Sequence, residues 1–216
     1  MRVAVYFMPH SCPPLMQAAS QWLETSGPKV AGIPAAEIER LLQAPNHYGF
    51  HATIKPPFRL KTGYTLNDVE KELAAFTKEM QPFFLPLLEI ARIDNFFCLR
   101  LVGESKSLNN LAADAVQRFD HFRRPAEEAE LARRRSVGLS ERQEHLLLQW
   151  GYPYVLDEFR FHLTLTGNIE NERLVEPLRR ELSYRFGQVI QEPLSFDGLS
   201  LFVQHGNSAF AEHKRF

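Results

Sequence analysis

Two stretches of this chain repeat one pattern, and that repeat limits what the rest can fold into. Gly49-Phe50-His51-Ala52-Thr53-Ile54 and Phe159-Arg160-Phe161-His162-Leu163-Thr164-Leu165-Thr166-Gly167 both read aromatic, His, apolar, Thr, apolar. Side chains of an extended strand alternate between faces. His51 and Thr53 therefore share one face and Phe50, Ala52 and Ile54 the other; Arg160, His162, Thr164 and Thr166 oppose Phe159, Phe161, Leu163 and Leu165. Each stretch has an apolar face to bury and a polar face carrying an imidazole beside a hydroxyl. Brought together across a cleft, two such strands surround one small anion with two imidazoles and two hydroxyls.

The chain around them has 216 residues, room for one sizeable domain or two small lobes. Its hydrophobic share of 44% and charged share of 24% suit a soluble globular protein, and its 17 Phe suggest an aromatic-rich core. A net charge of −1 gives no basic field for non-specific nucleic-acid binding, though a local basic cleft stays open. Two cysteines, Cys12 in a Pro-rich turn and Cys98 in an apolar strand, make neither a disulfide framework nor a zinc set. The apolar start meets Pro9 too early for a signal peptide, and no run reaches the roughly 18 apolar residues of a membrane helix. The expected setting is reducing and cytoplasmic, without a membrane.

In order, the pattern predicts a strand over 2–8, a helix over 15–23 and a short helix before Pro45. The first His strand then meets Pro56-Pro57, where it must bend or become an edge, since proline donates no ladder bond. Thr65 caps a helix over 66–80. Strands over 83–93 and 96–102 flank an Asp94-Asn95 turn, and a helix over 108–119 follows. Residues 123–150 read as an inserted helical hairpin, its second helix opened by the capping box Ser140-Glu141-Arg142-Gln143. Arg133 to Arg135 end its first helix, either as a phosphate-facing patch or as a solvated helix end. The second His strand, a helix over 171–184 and strands over 197–204 and 208–214 complete the chain. This second half echoes the first, which points to internal duplication, with lobe one over 1–120 and lobe two over 151–216.

Histidine titrates near neutrality, so one imidazole can accept a proton while another, kept charged by an anionic substrate, donates one. Displacement at a phosphodiester needs both roles on opposite sides of phosphorus. The threonine hydroxyls would hold the non-bridging oxygens. The carboxylates Glu127, Glu128 and Glu130 lie on a helix face without metal-ligand spacing, so no metal and no cofactor are expected.

Phe50-His51-Ala52-Thr53-Ile54 and Phe161-His162-Leu163-Thr164-Leu165 resemble the paired His-x-Thr motifs of the 2H phosphoesterase superfamily, which includes cyclic nucleotide phosphodiesterases and bacterial RNA 2′,5′ ligase-like (LigT-like) proteins. The longer strings 48–58 and 157–167 are similar to a branch of that superfamily named for phosphonate metabolism. The resemblance implies a bilobed α+β fold, two antiparallel sheet lobes flanked by helices around a central groove. It makes His51 and His162 the acid/base pair and Thr53 and Thr164 the phosphate-holding hydroxyls. It also implies a cyclic phosphodiesterase acting on a small sugar or nucleotide cyclic phosphate, with the phosphonate link favouring a ribosyl one.

Strand alternation adds Lys55 beside His51 and Arg160 beside His162, each able to meet phosphate, pair with a carboxylate or hold down a nearby imidazole's pKa. Tyr6 is a candidate to line the groove, and Tyr154 or Tyr48 to stack on a base or sugar, with core or rim packing as the alternative for each. His10, His47, His121, His145, His205 and His213 lack the paired context and read as surface or structural. Two rival functions stay open, processing or ligation of RNA 2′,3′-cyclic phosphates and a binding module that senses a phosphorylated metabolite.

Overall fold

The structure is a computed structural model that describes residues 1–24 and 27–216. It is an α+β protein built on antiparallel sheets. The opening strand β1 (Arg2–Phe7) pairs with β2 (Ala52–Arg59) on one side and with β8 (Ser200–Gln204) on the other. The last strand, β9 (Ala211–Arg215), completes the order β2-β1-β8-β9. A second sheet joins β4 (Leu88–Ile93), β5 (Phe96–Leu101) and β6 (His162–Thr164). Two short strands, β3 (Phe83–Phe84) and β7 (Ser195–Phe196), pair with each other.

Both main sheets mix strands from the two halves of the chain: β8 lies against β1, and β6 against β5. Residues 151–216 thus supply β8 and β9 to the sheet that holds β1 and β2, and β6 to the sheet that holds β4 and β5.

Among the described residues, seven α-helices pack around the sheets. The first are α1 (Pro13–Trp22), α2 (Ala35–Tyr48), α3 (Leu66–Glu79) and α4 (Lys106–Arg118). The inserted hairpin is α5 (Glu128–Arg135) and α6 (Glu141–Trp150), followed later by α7 (Val175–Phe186). Capping boxes open α3 and α6, at Thr65 with Asp68 and at Ser140 with Gln143. The expected strand over 83–93 is two strands, broken where Pro86 removes a ladder donor. No helix among the described residues is long and apolar enough to cross a membrane.

One departure from the expected pattern joins the two His strands. α2 does not stop before Pro45 but runs through it to Tyr48. Proline has no N–H to offer the carbonyl of Leu41. That carbonyl instead accepts from the backbone N–H of Gly167, just beyond the second His strand. A Cβ on Gly167 would lie 3.1 Å from the same oxygen, so the close approach suits glycine. Trp22 Nε1 also donates to Leu165 O at 2.7 Å. The helix leading to His51 thus holds the segment leaving His162.

Candidate active site

The apolar faces of both His strands are buried as the alternation requires. Phe50, Ala52, Ile54, Phe161, Leu163 and Leu165 are each 7% exposed or less, while His51, Thr53, His162 and Thr164 are half-buried. Each β-branched or aromatic core residue thereby pins its polar neighbour to the other face.

The two histidines are held in the same way. His51 Nδ1 lies 3.0 Å from Gly49 O, and His162 Nδ1 lies 2.8 Å from Arg160 O, in each case the carbonyl two residues earlier. A carbonyl only accepts, so Nδ1 carries the hydrogen and Nε2 of the neutral ring is left with a free lone pair. Gly49 makes this possible at the first strand. It ends α2 with φ 76° and ψ 178°, a region open essentially to glycine alone. Thr53 Oγ1 lies 3.3 Å from His51 Nε2, where its hydroxyl can donate.

The surroundings lower both pKa values. Burial first, and then the charge of His162, push His51 down to about 4 against the opposing bond to Gly49 O. Burial also lowers His162, helped by the charge of Arg160 and opposed by the bond to the Arg160 carbonyl. The effect of His162 on His51 places the two imidazoles in one electrostatic neighbourhood, and β2 and β6 are in contact.

A cavity of about 670 Å³ opens beside His51, with Tyr6, Thr53 and Thr164 also in its wall; His162 does not line it. Tyr6 stacks on His51 with ring centroids 3.7 Å apart and planes 16° from parallel. Tyr48, Tyr152, Tyr154 and Phe96 add an aromatic rim. Arg2 and, from α5, Arg133 and Arg134 supply positive charge. Arg134 lies 4.6 Å from the centre of the Tyr152 ring and 3.2 Å from Glu130. Thr166 also reaches this wall, but its hydroxyl accepts from Phe97 N–H at 2.9 Å.

The candidate residues thus divide. The structure brings His51, Thr53, Thr164, Tyr6, Tyr48 and Tyr154 to the cavity and sets His162 two residues from Thr164 on the same strand face. Lys55 is not part of it. Its side chain is buried, with Nζ donating to Val116 O at 2.8 Å and paired with Asp120 at 3.0 Å. The cause is a β-bulge: Tyr6 faces Thr53 but Val5 faces Lys55, so one step of β1 spans two residues of β2. The extra residue turns Lys55 away from the Thr53 face. Burial pushes its pKa down to about 8, opposed by Asp120. Arg160 is exposed, 3.8 Å from Glu158, and does not line the cavity; its effect on the site is the lowered His162 pKa.

Sequence reasoning missed Arg2, Phe96 and Tyr152. Arg2 was legible, since it alternates onto the face of Tyr6 along β1. Phe96 reaches the cavity from the first residue of β5, and Tyr152 from a loop, where no period marks it. Among the described residues, no three His, Cys, Asp or Glu side chains gather as a metal-ligand set.

The fold is thus α+β, with two identically tethered imidazoles, one of them in the wall of the cavity. The chain is a member of the family described as "Protein of unknown function (DUF1045)", which matches residues 53–211. It is 32% identical over 226 residues to the ribose 1,5-bisphosphate phosphokinase PhnN of Janthinobacterium sp. (strain Marseille), covering 99% of this chain and 50% of that protein. The protein of the same name from Laribacter hongkongensis (strain HLHK9) is 31% identical over 210 residues, covering 94% and 48%. The chain spans about half the length of the curated relatives it matches. Among solved structures it is similar to Escherichia coli LigT complexed with 3′-AMP, at TM-score 0.44 and 15% identity over 100% of this chain and 96% of that one. A structure described as a phosphoesterase overlaps at TM-score 0.44 and 17% identity, with the same coverage. Overlap at that level assigns no chemistry.

Proposed function

We propose that this protein is a two-histidine phosphoesterase that opens a cyclic phosphodiester on a small sugar or nucleotide, using protein groups alone. The observation that carries the reading is the matched tether, Nδ1 to the carbonyl two residues back, in both His-x-Thr strands. It leaves two Nε2 atoms for proton transfer. In the reaction, water attacks phosphorus while the Nε2 of one imidazole takes its proton. The bond from phosphorus to the ring oxygen breaks, and the protonated imidazole of the other strand gives that oxygen its hydrogen. The product is a phosphomonoester beside a free hydroxyl. Thr53 and Thr164 donate to the non-bridging oxygens, where charge builds during attack.

The lowered pKa values suit this cycle. They keep both rings neutral near pH 7, each with a lone pair to accept a proton, and an arriving phosphate anion raises the pKa of the ring that must become the acid. The direction in which the substrate lies selects which histidine plays which part. The curated relatives, named ribose 1,5-bisphosphate phosphokinases, support a phosphorylated ribose as the skeleton.

The test is phosphorus NMR of the metal-free protein with ribosyl and 2′,3′-nucleoside cyclic phosphates, beside His51→Ala and His162→Ala. Ring opening by the wild type alone is expected. Turnover retained in either variant, or lost on treatment with a chelator, would overturn the mechanism.

A further inference from the structure

A second cavity, of about 490 Å³, adjoins the first, and Arg2, Pro57 and Arg133 line both. Its walls are β1, the far end of β2, the segment 123–127 and α5. Five arginines face it, Arg2, Arg59, Arg123, Arg124 and Arg133, against two carboxylates, Glu127 and Glu130. Both carboxylates are already engaged, Glu127 with Arg124 and Glu130 with Arg134. Arg123 is held by Asp120 at 2.7 Å. Among the described residues, Arg2, Arg59 and Arg133 have no carboxylate within 4 Å.

Three unpaired guanidinium groups in one concavity repel one another. Such an arrangement is relieved by an anion, and the forked donors of arginine match phosphate oxygens. Arg2 is also pre-positioned: its Nε donates to Gln204 Oε1 at 2.6 Å and its guanidinium lies 5.3 Å from the Phe210 ring centre. That leaves its terminal nitrogens for a ligand.

Resting on the phosphoesterase reading above, we propose that this cavity is a subsite for a second phosphate on the same small substrate, at the end away from the ring that opens. Tyr6 and Arg2 lie on one face of β1, four residues and so about 13 Å apart between Cα atoms, and the long arginine side chain shortens that gap. The span suits the two ends of one phosphorylated sugar. It also gives the inserted hairpin a task, since Arg133 of α5 stands where the two cavities meet.

The experiment compares ribose 1,2-cyclic phosphate with and without a 5-phosphate. The wild type is expected to favour the doubly phosphorylated compound at least tenfold in kcat/KM, about the effect of one charged hydrogen bond. Arg59→Ala, which changes only the second cavity, is expected to bring that ratio toward one. Equal rates on the two compounds in the wild type, or an unchanged ratio in Arg59→Ala, would sink the subsite. Faster turnover of an oligonucleotide ending in a 2′,3′-cyclic phosphate than of either ribose compound would overturn the small-substrate assignment.

A second arm separates this inference from the mechanism. Calorimetry of ribose 5-phosphate on the His51→Ala, His162→Ala double variant reads binding without turnover. Binding that weakens about tenfold on adding Arg59→Ala supports the subsite even where no cyclic phosphate is opened. Equal affinity for ribose and ribose 5-phosphate counts against it whatever the turnover shows.

Discussion

The two His-x-Thr strands share a motif and a tether, yet they stand in different supports. β2 is eight residues long, forms the edge of the four-stranded sheet and has Tyr6 stacked flat on its histidine. β6 is three residues long, hangs on β5 by the edge, and its histidine meets Phe96 at a tilt with centroids 5.6 Å apart. Behind β2 a lysine is buried against Asp120; beside β6 an arginine stands in solvent. A repeated motif can therefore keep its tether while the scaffold around each copy diverges. What must match is the direction of each Nε2, and a two-residue loop back to the strand's own carbonyl sets that locally.

The comparison breaks first at the rings. His51→Ala and His162→Ala should each lower kcat by about 10²- to 10⁴-fold, and by similar factors if the two roles are equal partners. Stopped assays on purified, folded variants decide this, and a variant that keeps the wild-type kcat would mark its ring as dispensable. Next in size is the buried lysine. Lys55→Ala leaves an uncompensated cavity beside Asp120 and should cost about 3 kcal/mol in urea unfolding, whereas Arg160→Ala should cost under about 0.5 kcal/mol.

The third effect is acid sensitivity. His51 has a folded pKa of about 4 against an ordinary 6.5, so the unfolded chain takes up that proton first. Its contribution is intact above pH 6.5, is lost as pH falls toward 4, and changes no further below that. The loss should be about 2 kcal/mol after allowance for solvent at the cavity mouth, and His51→Asn should flatten the urea midpoint across that window. Smallest is the charge beside the second ring. Arg160→Gln should raise the His162 pKa, only slightly because Arg160 is exposed, in proton NMR titrations.

Much of this was legible before any tertiary contact was known. Alternation alone assigned Phe50, Ala52, Ile54, Phe161, Leu163 and Leu165 to the core and the four motif residues to the opposite face, because strand period is a local property. The same rule failed for Lys55, since a bulge depends on the partner strand and leaves no mark in the sequence of β2. It failed at Pro45 for a related reason. A helix ends at proline unless something else satisfies the freed carbonyl, and here the donor, Gly167, is more than a hundred residues away. The arginine cluster at 133–135 divided: Arg133 and Arg134 face the cavity, while Arg135 is tied to Glu128 and Glu144.

Sequence determined the two polar faces, the residues on them and the capped helices, all consequences of backbone period and short-range hydrogen bonding. Tertiary structure alone decided that each sheet is completed by the other half of the chain, that Lys55 is a buried strut, and that arginines from β1, β2 and the inserted hairpin meet in one place. Those outcomes depend on which surfaces find each other, and pairing across long separations is settled by burial and register rather than by neighbours along the chain.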